Sequence, residues 1–330
     1  MESVRDYKYD NLKFILIFLV VLGHIIEPLE NLNILYLIIY SFHMPVFIYI
    51  SGYFSKGNKK SIIKPLILYF IFQIIYFFIY KYVLKESIKL QYTRPNWILW
   101  YLFALSIWNV FAFFIKKFTL NKTKCYIVII VLTVISLMCG FINIIGYEFS
   151  LSRIIIFFPF FLLGFFTKNY KIRILEKENI KKTILFLLIG ILCVIYFIIN
   201  ENIDRKWFYG SYSYIAGNYT IFFRAVFLTF SFIMIYFLVN YMTNKKSIIS
   251  IIGRDTLYIY LIHGLVIKYL NKYVYKYFFK NNMTIDFLIS LLLCILIITV
   301  IEVLYRCIIK IIYDNIKNKI MEVQYENIKK

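Results

Sequence analysis

Lys13 and His24 stand at the two ends of the first apolar run, and their types and spacing suit chemistry on one ligand. They are eleven positions apart. In an α-helix this spacing places them within roughly 20° of one another and about 16 Å apart along the axis. An ammonium group can hold a phosphate at one end of such a stripe, and an imidazole can act as a base at the other. The alternative for Lys13 is a side chain that reaches the lipid headgroups.

The chain has three histidines, His24, His43 and His263, and each lies inside or at the end of an apolar run. Ionisable groups within a membrane are costly, which makes them candidates for function. The alternative is a neutral histidine bonded to a carbonyl of its own helix. Glu27 follows His24 at i+3, where it can fix the imidazole tautomer or remain a solvated carboxylate of an outer loop. Pro45 is expected to kink the helix that carries His43 and to free a carbonyl there.

The elements that position these residues are apolar helices. The 330 residues are 62% hydrophobic, with a mean hydropathy of +0.75, whereas soluble domains are about half apolar. Runs of about 18 residues can cross a bilayer, and a lipid-exposed backbone must be helical to satisfy its own hydrogen bonds. We therefore predict one all-α, polytopic membrane domain over residues 1–330 with about ten transmembrane helices. The predicted spans lie near 11–27, 32–54, 65–84, 97–115, 125–146, 151–167, 183–199, 220–242, 256–275 and 284–312.

The net charge of +21 does not indicate a nucleic-acid partner, because the basic residues lie in short loops between apolar runs. Such loops are typical of the cytoplasmic side of a membrane protein. Alternate loops are the basic ones, which predicts that both termini are cytoplasmic. The loop 81–95 is the exception, since it should lie outside and yet carries four basic residues.

The five cysteines lie singly in or beside apolar runs, which predicts free thiols and no metal site. The N-terminal charges and apolar run resemble a signal peptide. The small-residue cleavage site of a signal peptide is missing, so we interpret this run as a retained first span.

Five stretches resemble the membrane acyltransferase 3 family, in particular its branch like fucose 4-O-acetylases. They are Lys13 with His24, Phe42-His43-Met44-Pro45 with Ser51-Gly52-Tyr53, Leu99-Trp100-Tyr101-Leu102, residues 157–164 and residues 258–264. The resemblance covers about residues 5–270 and implies the ten-span topology of that family. It departs from the family before span three, where Ser61 and Lys64 stand at the two arginines of an Arg-x-x-Arg pattern. A lysine keeps the charge of arginine but loses its bidentate fork.

The resemblance implies transfer of an acyl group, usually acetyl, from cytoplasmic acyl-CoA to a sugar hydroxyl. The acceptor would be a cell-surface polysaccharide or a lipid-linked glycan at a bacterial plasma membrane. His24 would be the general base or a transient carrier of the acyl group, with Glu27 as its partner. Acyl-CoA is then a donor substrate, and no tightly bound cofactor is expected. The residues expected to bind the donor are Asp10, Lys13, Lys60 and Lys64, and those expected to bind the acceptor are His43, Trp100, Arg153 and His263.

Two other functions fit a chain of this kind. A transporter or flippase for a surface glycan would also use many spans with intramembrane histidines, although it should show broken helices in related halves. The sequence shows no such internal symmetry. The third possible function is that of a structural subunit of the glycan-synthesis machinery, and no feature of the sequence favours it. The partners expected for the acyltransferase are acyl-CoA, a glycan, the lipid bilayer and that machinery.

Overall fold

The computed structural model describes residues 6–146, 148–172, 184–185, 187–188, 190–192 and 203–328, with side chains to residue 308. These residues form helices and connecting segments, and no β-strand occurs among them. The α-helices are α1 (Tyr7–Ile26), α2 (Asn33–Tyr40), α3 (His43–Phe54), α4 (Lys59–Phe78), α5 (Trp100–Ile115), α6 (Lys122–Met138), α7 (Leu151–Asn169), α8 (Tyr214–Gly217), α9 (Ile221–Tyr241), α10 (Ile248–Ile252), α11 (Thr256–Tyr273), α12 (Tyr275–Phe278) and α13 (Met283–Ile328). A π-helical turn, Ile79–Val83, extends α4.

Eight segments of the described chain are long and apolar enough to cross a bilayer. They are Tyr7–Ile26, Glu30–Phe54, Lys59–Val83, Trp97–Ile115, Lys122–Phe141, Glu148–Asn169, Ile221–Tyr241 and Met283–Ile308. The all-α prediction is confirmed. The predicted span 256–275 forms α11, which is not among the eight, and the predicted span 183–199 lies largely outside the described residues. The count of about ten spans and the cytoplasmic termini stay predictions.

The predicted span 32–54 is two helices rather than one, because the chain breaks at Ser41 and Phe42. The cause is Pro45, whose nitrogen has no hydrogen to donate to the carbonyl four residues earlier. That carbonyl, of Ser41, accepts a hydrogen bond from the Ser231 hydroxyl at 3.1 Å instead. His43 is therefore the first residue of α3, whereas the sequence predicted a position in the middle of a helix.

The predicted loop 55–64 is also shorter than expected. Helix α4 begins at Lys59, and the Asn58 side chain caps it by accepting from the backbone N–H of Ser61. Lys60 and Lys64 consequently lie on the first two turns of a helix, both exposed, rather than in a flexible loop. At the other end of the chain α13 continues beyond the predicted last span, 284–312, to Ile328.

Helices α1 and α7 form the centre of the bundle. In their most apolar stretches 67% and 78% of the residues are buried, against 17% in α4 and 28% in α6. Helix α1 packs against α2, α3, α9, α10, α11 and α13. Helices α4 and α6 expose apolar side chains such as Ile67, Phe70 and Ile130, as expected of helices that face lipid. The stripe that carries Lys13 and His24 is thus held in the interior of the protein.

Candidate active site

A cavity of about 210 Å³ lies beside the C-terminal end of α1. Five residues singled out from the sequence line it: His24, Glu27, His43, Trp100 and Arg153. Aromatic side chains, including those of Tyr40, Trp97, Tyr209 and Tyr260, form much of the remaining wall. The cavity thus combines two imidazoles, a carboxylate and a guanidinium group within largely aromatic surroundings.

His24 is held from several sides. Its Nδ1 lies 3.0 Å from the Tyr40 hydroxyl and 3.4 Å from a Glu27 carboxylate oxygen. The Trp97 ring meets the imidazole at a centroid distance of 4.5 Å, and the His263 ring stacks on it at 5.6 Å. The side chain of His24 is only 12% exposed. The ring therefore faces the cavity with a fixed orientation and does not face lipid.

The Glu27 carboxylate favours one tautomer of the His24 ring. Burial raises the pKa of the Glu27 carboxyl, but the hydrogen bond and the charge of His24, with the nearby charge of Lys268, lower it further, so the pKa lies below its ordinary value. The carboxylate is therefore ionised at neutral pH and can only accept hydrogen bonds. This contact favours the tautomer of the uncharged ring in which Nδ1 carries the hydrogen and Nε2 has a lone pair.

His43 and His263 are arranged differently from His24. His43 Nδ1 donates to the carbonyl of Ile39 at 2.7 Å, and His263 Nδ1 donates to the carbonyl of Ile259 at 2.9 Å. Both rings thus match the alternative to a functional role that the sequence left open, a neutral histidine bonded to a backbone carbonyl of its own chain. His263 does not line the cavity and adjoins it through the His24 ring. Of the three histidines, His24 is the one whose Nδ1 meets side chains rather than a backbone carbonyl.

Arg153 and Trp100 line the same cavity and contact each other. The guanidinium group lies 5.1 Å from the centroid of the Trp100 ring, a cation–π arrangement. Its Nε donates to the carbonyl of Tyr209 at 3.0 Å. The guanidinium is therefore fixed on the cavity wall, where it can bind an anionic or hydroxyl-rich group.

Arg205 fastens the segment 203–209 to the turn that follows α1. It donates to the carbonyl of Glu27, to the carbonyl of Leu29 at 3.3 Å and to the Asn33 side chain at 2.6 Å. It also lies 4.9 Å from the Tyr36 ring centroid. These contacts fix the turn that follows α1, and with it the position of the Glu27 carboxylate.

The predicted donor residues lie at the other end of α1. Lys13 Nζ is 2.8 Å from Asp10 Oδ1, and the Asp10 side chain is almost fully buried. Because α1 is continuous from Tyr7 to Ile26, the expected separation of about 16 Å between Lys13 and His24 holds. Lys60 and Lys64 are exposed on α4, a different helix from the one that carries Asp10 and Lys13.

Residues 6–304 match the family model Acyl_transf_3, described as an acyltransferase domain. The match covers nearly the whole chain and therefore decides the family. The chain belongs to the acyltransferase 3 family. No curated protein and no solved structure gives a significant match. The protein is thus a membrane acyltransferase, and its branch within the family stays a prediction.

Three residues of this acyltransferase were not predicted as site residues from the sequence: Tyr40, Trp97 and Arg205. Tyr40 had a usable signal, since Tyr36 and Tyr40 form an i,i+4 pair directly before the His43 motif. Their rings stack at 4.0 Å. Trp97 is the first residue of the predicted span 97–115, and this position indicated no role in the site. Arg205 reaches Glu27 only through tertiary structure.

The described residues of the acyltransferase include no group of three or more metal-binding side chains placed to hold an ion.

Replacing Glu27 with glutamine is expected to lower the kcat of acyl transfer by on the order of 10²-fold, because the neutral amide no longer requires a proton on His24 Nδ1. The KM for acyl-CoA should stay the same. In the wild type, the contact between the Glu27 carboxylate and His24 Nδ1 should persist at all pH values near neutral. It should be lost only as the pH falls through the lowered pKa of Glu27. Steady-state rates at several pH values measure both effects. Glu30→Gln is the matched control on the same turn, and an equal loss in both variants would contradict a specific role for Glu27.

Proposed function

We propose that the protein transfers an acyl group, with acetyl as the expected case, from cytoplasmic acyl-CoA to a hydroxyl group of a cell-surface polysaccharide or a lipid-linked glycan. The observation that carries this proposal is the arrangement at His24, whose Nδ1 is occupied by Tyr40 and Glu27 while the ring faces a cavity. A bacterial plasma membrane is the expected location.

In the first form of the mechanism His24 acts as a general base. Its Nε2 takes the proton of the acceptor hydroxyl while the hydroxyl oxygen attacks the thioester carbonyl. The carbon–sulfur bond then breaks, and the CoA thiolate leaves and takes the proton from Nε2. Ionised Glu27 favours this role because it stabilises the imidazolium that forms between the two steps.

In the second form His24 carries the acyl group. Its Nε2 attacks the thioester carbonyl and the carbon–sulfur bond breaks, which leaves an acyl-imidazolium beside the Glu27 carboxylate. The CoA thiolate that leaves takes a proton from the solvent. The acceptor hydroxyl oxygen then attacks the acyl carbon, the bond from that carbon to Nε2 breaks, and the hydroxyl proton passes to the solvent. Both forms use the same nitrogen and the same Glu27 contact. They differ in whether label from the donor stays on the protein when no acceptor is present.

The donor would bind with its phosphates at Lys13 and its thioester at His24. The extended pantetheine arm is of the order of the axial distance of about 16 Å between these residues. Val20, on the same stripe of α1, lines the inner part of the cavity. The arm would therefore reach the cavity beside Val20 and bring the thioester one turn further, to the imidazole.

The acceptor would enter the cavity from the outer end, where Trp100, Arg153 and the segment 203–209 surround the space. Trp100 and Arg153 suit a sugar, because one can contact a ring face and the other can hold hydroxyl or acidic groups. His43 also lines the cavity. A fucose-like sugar would fit the suggested branch of the family.

A test of the proposal uses purified protein in nanodiscs, acetyl-CoA labelled in the acetyl group, and glycan isolated from a strain that lacks the gene. Label should pass to the glycan and be released by mild alkali, as expected of an ester. Mass spectrometry of surface glycans from the deletion strain should show loss of the same group. Protein that moves unmodified glycan across a liposome membrane without using acetyl-CoA would favour the transporter instead, against which the family match argues.

A further inference from the structure

Three aromatic rings pack together at the end of the bundle opposite the cavity. Tyr9 of α1 stacks on Tyr53 of α3 with 4.2 Å between ring centroids. Phe54 meets Tyr9 edge-on at 5.5 Å and Tyr53 at 5.3 Å. The Tyr9 ring is almost fully buried, whereas Phe54 is 51% exposed. The rings thus form a fixed surface at the membrane boundary that remains open to ligands.

One lysine lies over each of the three rings. Lys8 is 4.9 Å from the centroid of Tyr9, Lys168 is 5.0 Å from that of Tyr53, and Lys13 is 5.2 Å from that of Phe54. We call these six residues the lysine–aromatic platform. Lys168 comes from α7, which is distant in sequence from the other five. Three positive charges are thus gathered by tertiary structure rather than by a basic run.

Two glycines fix Lys168 in this position. A Cβ atom on Gly164 would lie 1.9 Å from the carbonyl oxygen of Tyr49, and one on Gly52 would lie 1.9 Å from that of Phe161. Helices α3 and α7 are therefore in backbone contact. Lys168 is one turn beyond Gly164, and Tyr53 directly follows Gly52. The close approach of the helices brings the Lys168 side chain over the Tyr53 ring.

The platform has an excess of positive charge. Asp10 pairs with Lys13 at 2.8 Å. Within the described part of the chain, neither Lys8 nor Lys168 forms an ion pair with a carboxylate. Ammonium groups held near one another repel, and an anion with several charges would relieve that repulsion. The diphosphate and the 3′-phosphate of coenzyme A are such groups, and each can accept charge-assisted hydrogen bonds from lysine.

We propose that the lysine–aromatic platform is the phosphate-binding site for acyl-CoA, and that Lys168 and Lys8 complete it together with Lys13. This inference rests on the proposed function, since it identifies where the donor is held. It differs from the sequence prediction, which assigned the second group of cations to Lys60 and Lys64. The platform lies on the Lys13 end of the stripe, so phosphates bound there leave the pantetheine arm directed along α1 toward His24.

The test measures the dissociation constants of coenzyme A and of pantetheine, which lacks the phosphates, for protein in nanodiscs of neutral lipid. Lys168→Gln should weaken binding of coenzyme A about tenfold, as expected for the loss of one charge-assisted contact. Binding of pantetheine should be unchanged. Lys168→Arg keeps the charge and should restore most of the affinity. An unchanged affinity for coenzyme A in Lys168→Gln, or an equal loss for both ligands, would overturn the proposal.

Lys117 offers the matched control. Its ammonium group lies 5.1 Å from the Phe113 ring and 5.3 Å from the Phe114 ring, at the end of α5. It therefore resembles Lys168 in its aromatic contacts but lies outside the platform. Lys117→Gln should bind coenzyme A like the wild type, and a loss equal to that in Lys168→Gln would refute a specific site.

Lipid headgroups offer the same phosphate chemistry, so nanodiscs of anionic lipid form a second arm. If the platform only anchors lipid, Lys168→Gln should retain fewer anionic lipids in native mass spectrometry while binding coenzyme A normally, which would overturn the proposal. The wild-type acetylation assay separates this failure from that of the proposed function. If the wild-type protein is active and Lys168→Gln binds coenzyme A normally, only the platform proposal is refuted. If the wild-type protein neither binds acetyl-CoA nor transfers acetyl, the proposed function is refuted as well.

Discussion

His24→Asn is expected to lower the kcat of acyl transfer by about 10³-fold or more, because asparagine keeps a donor near the position of Nδ1 but has no counterpart of Nε2. The amide can still donate to Glu27, so the turn after α1 should keep its structure. The loss should appear at saturating acetyl-CoA and saturating acceptor, since both forms of the mechanism require the Nε2 lone pair. Steady-state rates with labelled acetyl-CoA measure it, and unchanged coenzyme A affinity shows that the protein is folded.

His43→Asn is the control that the structure offers. His43 Nδ1 donates to the carbonyl of Ile39 at 2.7 Å, and an asparagine can retain that bond. We expect kcat within about tenfold of the wild type and a larger effect on the KM for the acceptor, in keeping with a place on the cavity wall. Similar losses of kcat in His24→Asn and His43→Asn would mean that His24 has no special role in the reaction.

The same pair of variants distinguishes the two forms of the mechanism. When wild-type protein is mixed with labelled acetyl-CoA without acceptor and then quenched, label on the protein indicates an acyl carrier. The label should be absent from His24→Asn and present in His43→Asn. Wild-type protein that transfers label to glycan but never retains it would favour His24 as a general base.

Helical periodicity allowed the arrangement along α1 to be predicted from the sequence. Lys13 and His24 share one face because their spacing follows the helix repeat, and this relation needs no information from other helices. The i+3 contact of Glu27 with His24 is local in the same sense. The roles of these residues in the reaction stay predictions.

Contacts between distant segments could not be predicted in the same way. Nothing in the local sequence links Arg205 to the turn at Glu27, or Lys168 to Tyr53. Pro45 was expected to kink its helix and free a carbonyl, but the Ser231 hydroxyl that binds the freed Ser41 carbonyl comes from α9 and has no signal in the local sequence. In a chain with 21% aromatic residues, composition alone could not separate the cavity's tryptophans and tyrosines from those at the membrane boundary.

Gly164→Ala is expected to lower the melting temperature by about 5–10 °C, the largest effect on stability that we predict for a single methyl group. The new Cβ would lie 1.9 Å from the carbonyl oxygen of Tyr49 and 2.7 Å from the backbone nitrogen of Tyr53. Backbone atoms cannot rotate away as a side chain can, so α3 and α7 must separate. Small residues at such crossings are what allow membrane helices to pack closely. Thermal unfolding monitored by size-exclusion chromatography in detergent measures the loss.

Gly146→Ala provides the comparison, since the nearest atom to its new Cβ is 3.9 Å away. It should unfold at the wild-type temperature. The double variant Gly52→Ala/Gly164→Ala gives a sharper test, because both methyl groups act on the same crossing of α3 and α7. Once one alanine has separated the helices, the second has less to displace, so the combined loss should be smaller than the sum of the single losses. Fully additive losses would show that the two glycines do not share one interface, and the position of Lys168 over Tyr53 would then need another cause.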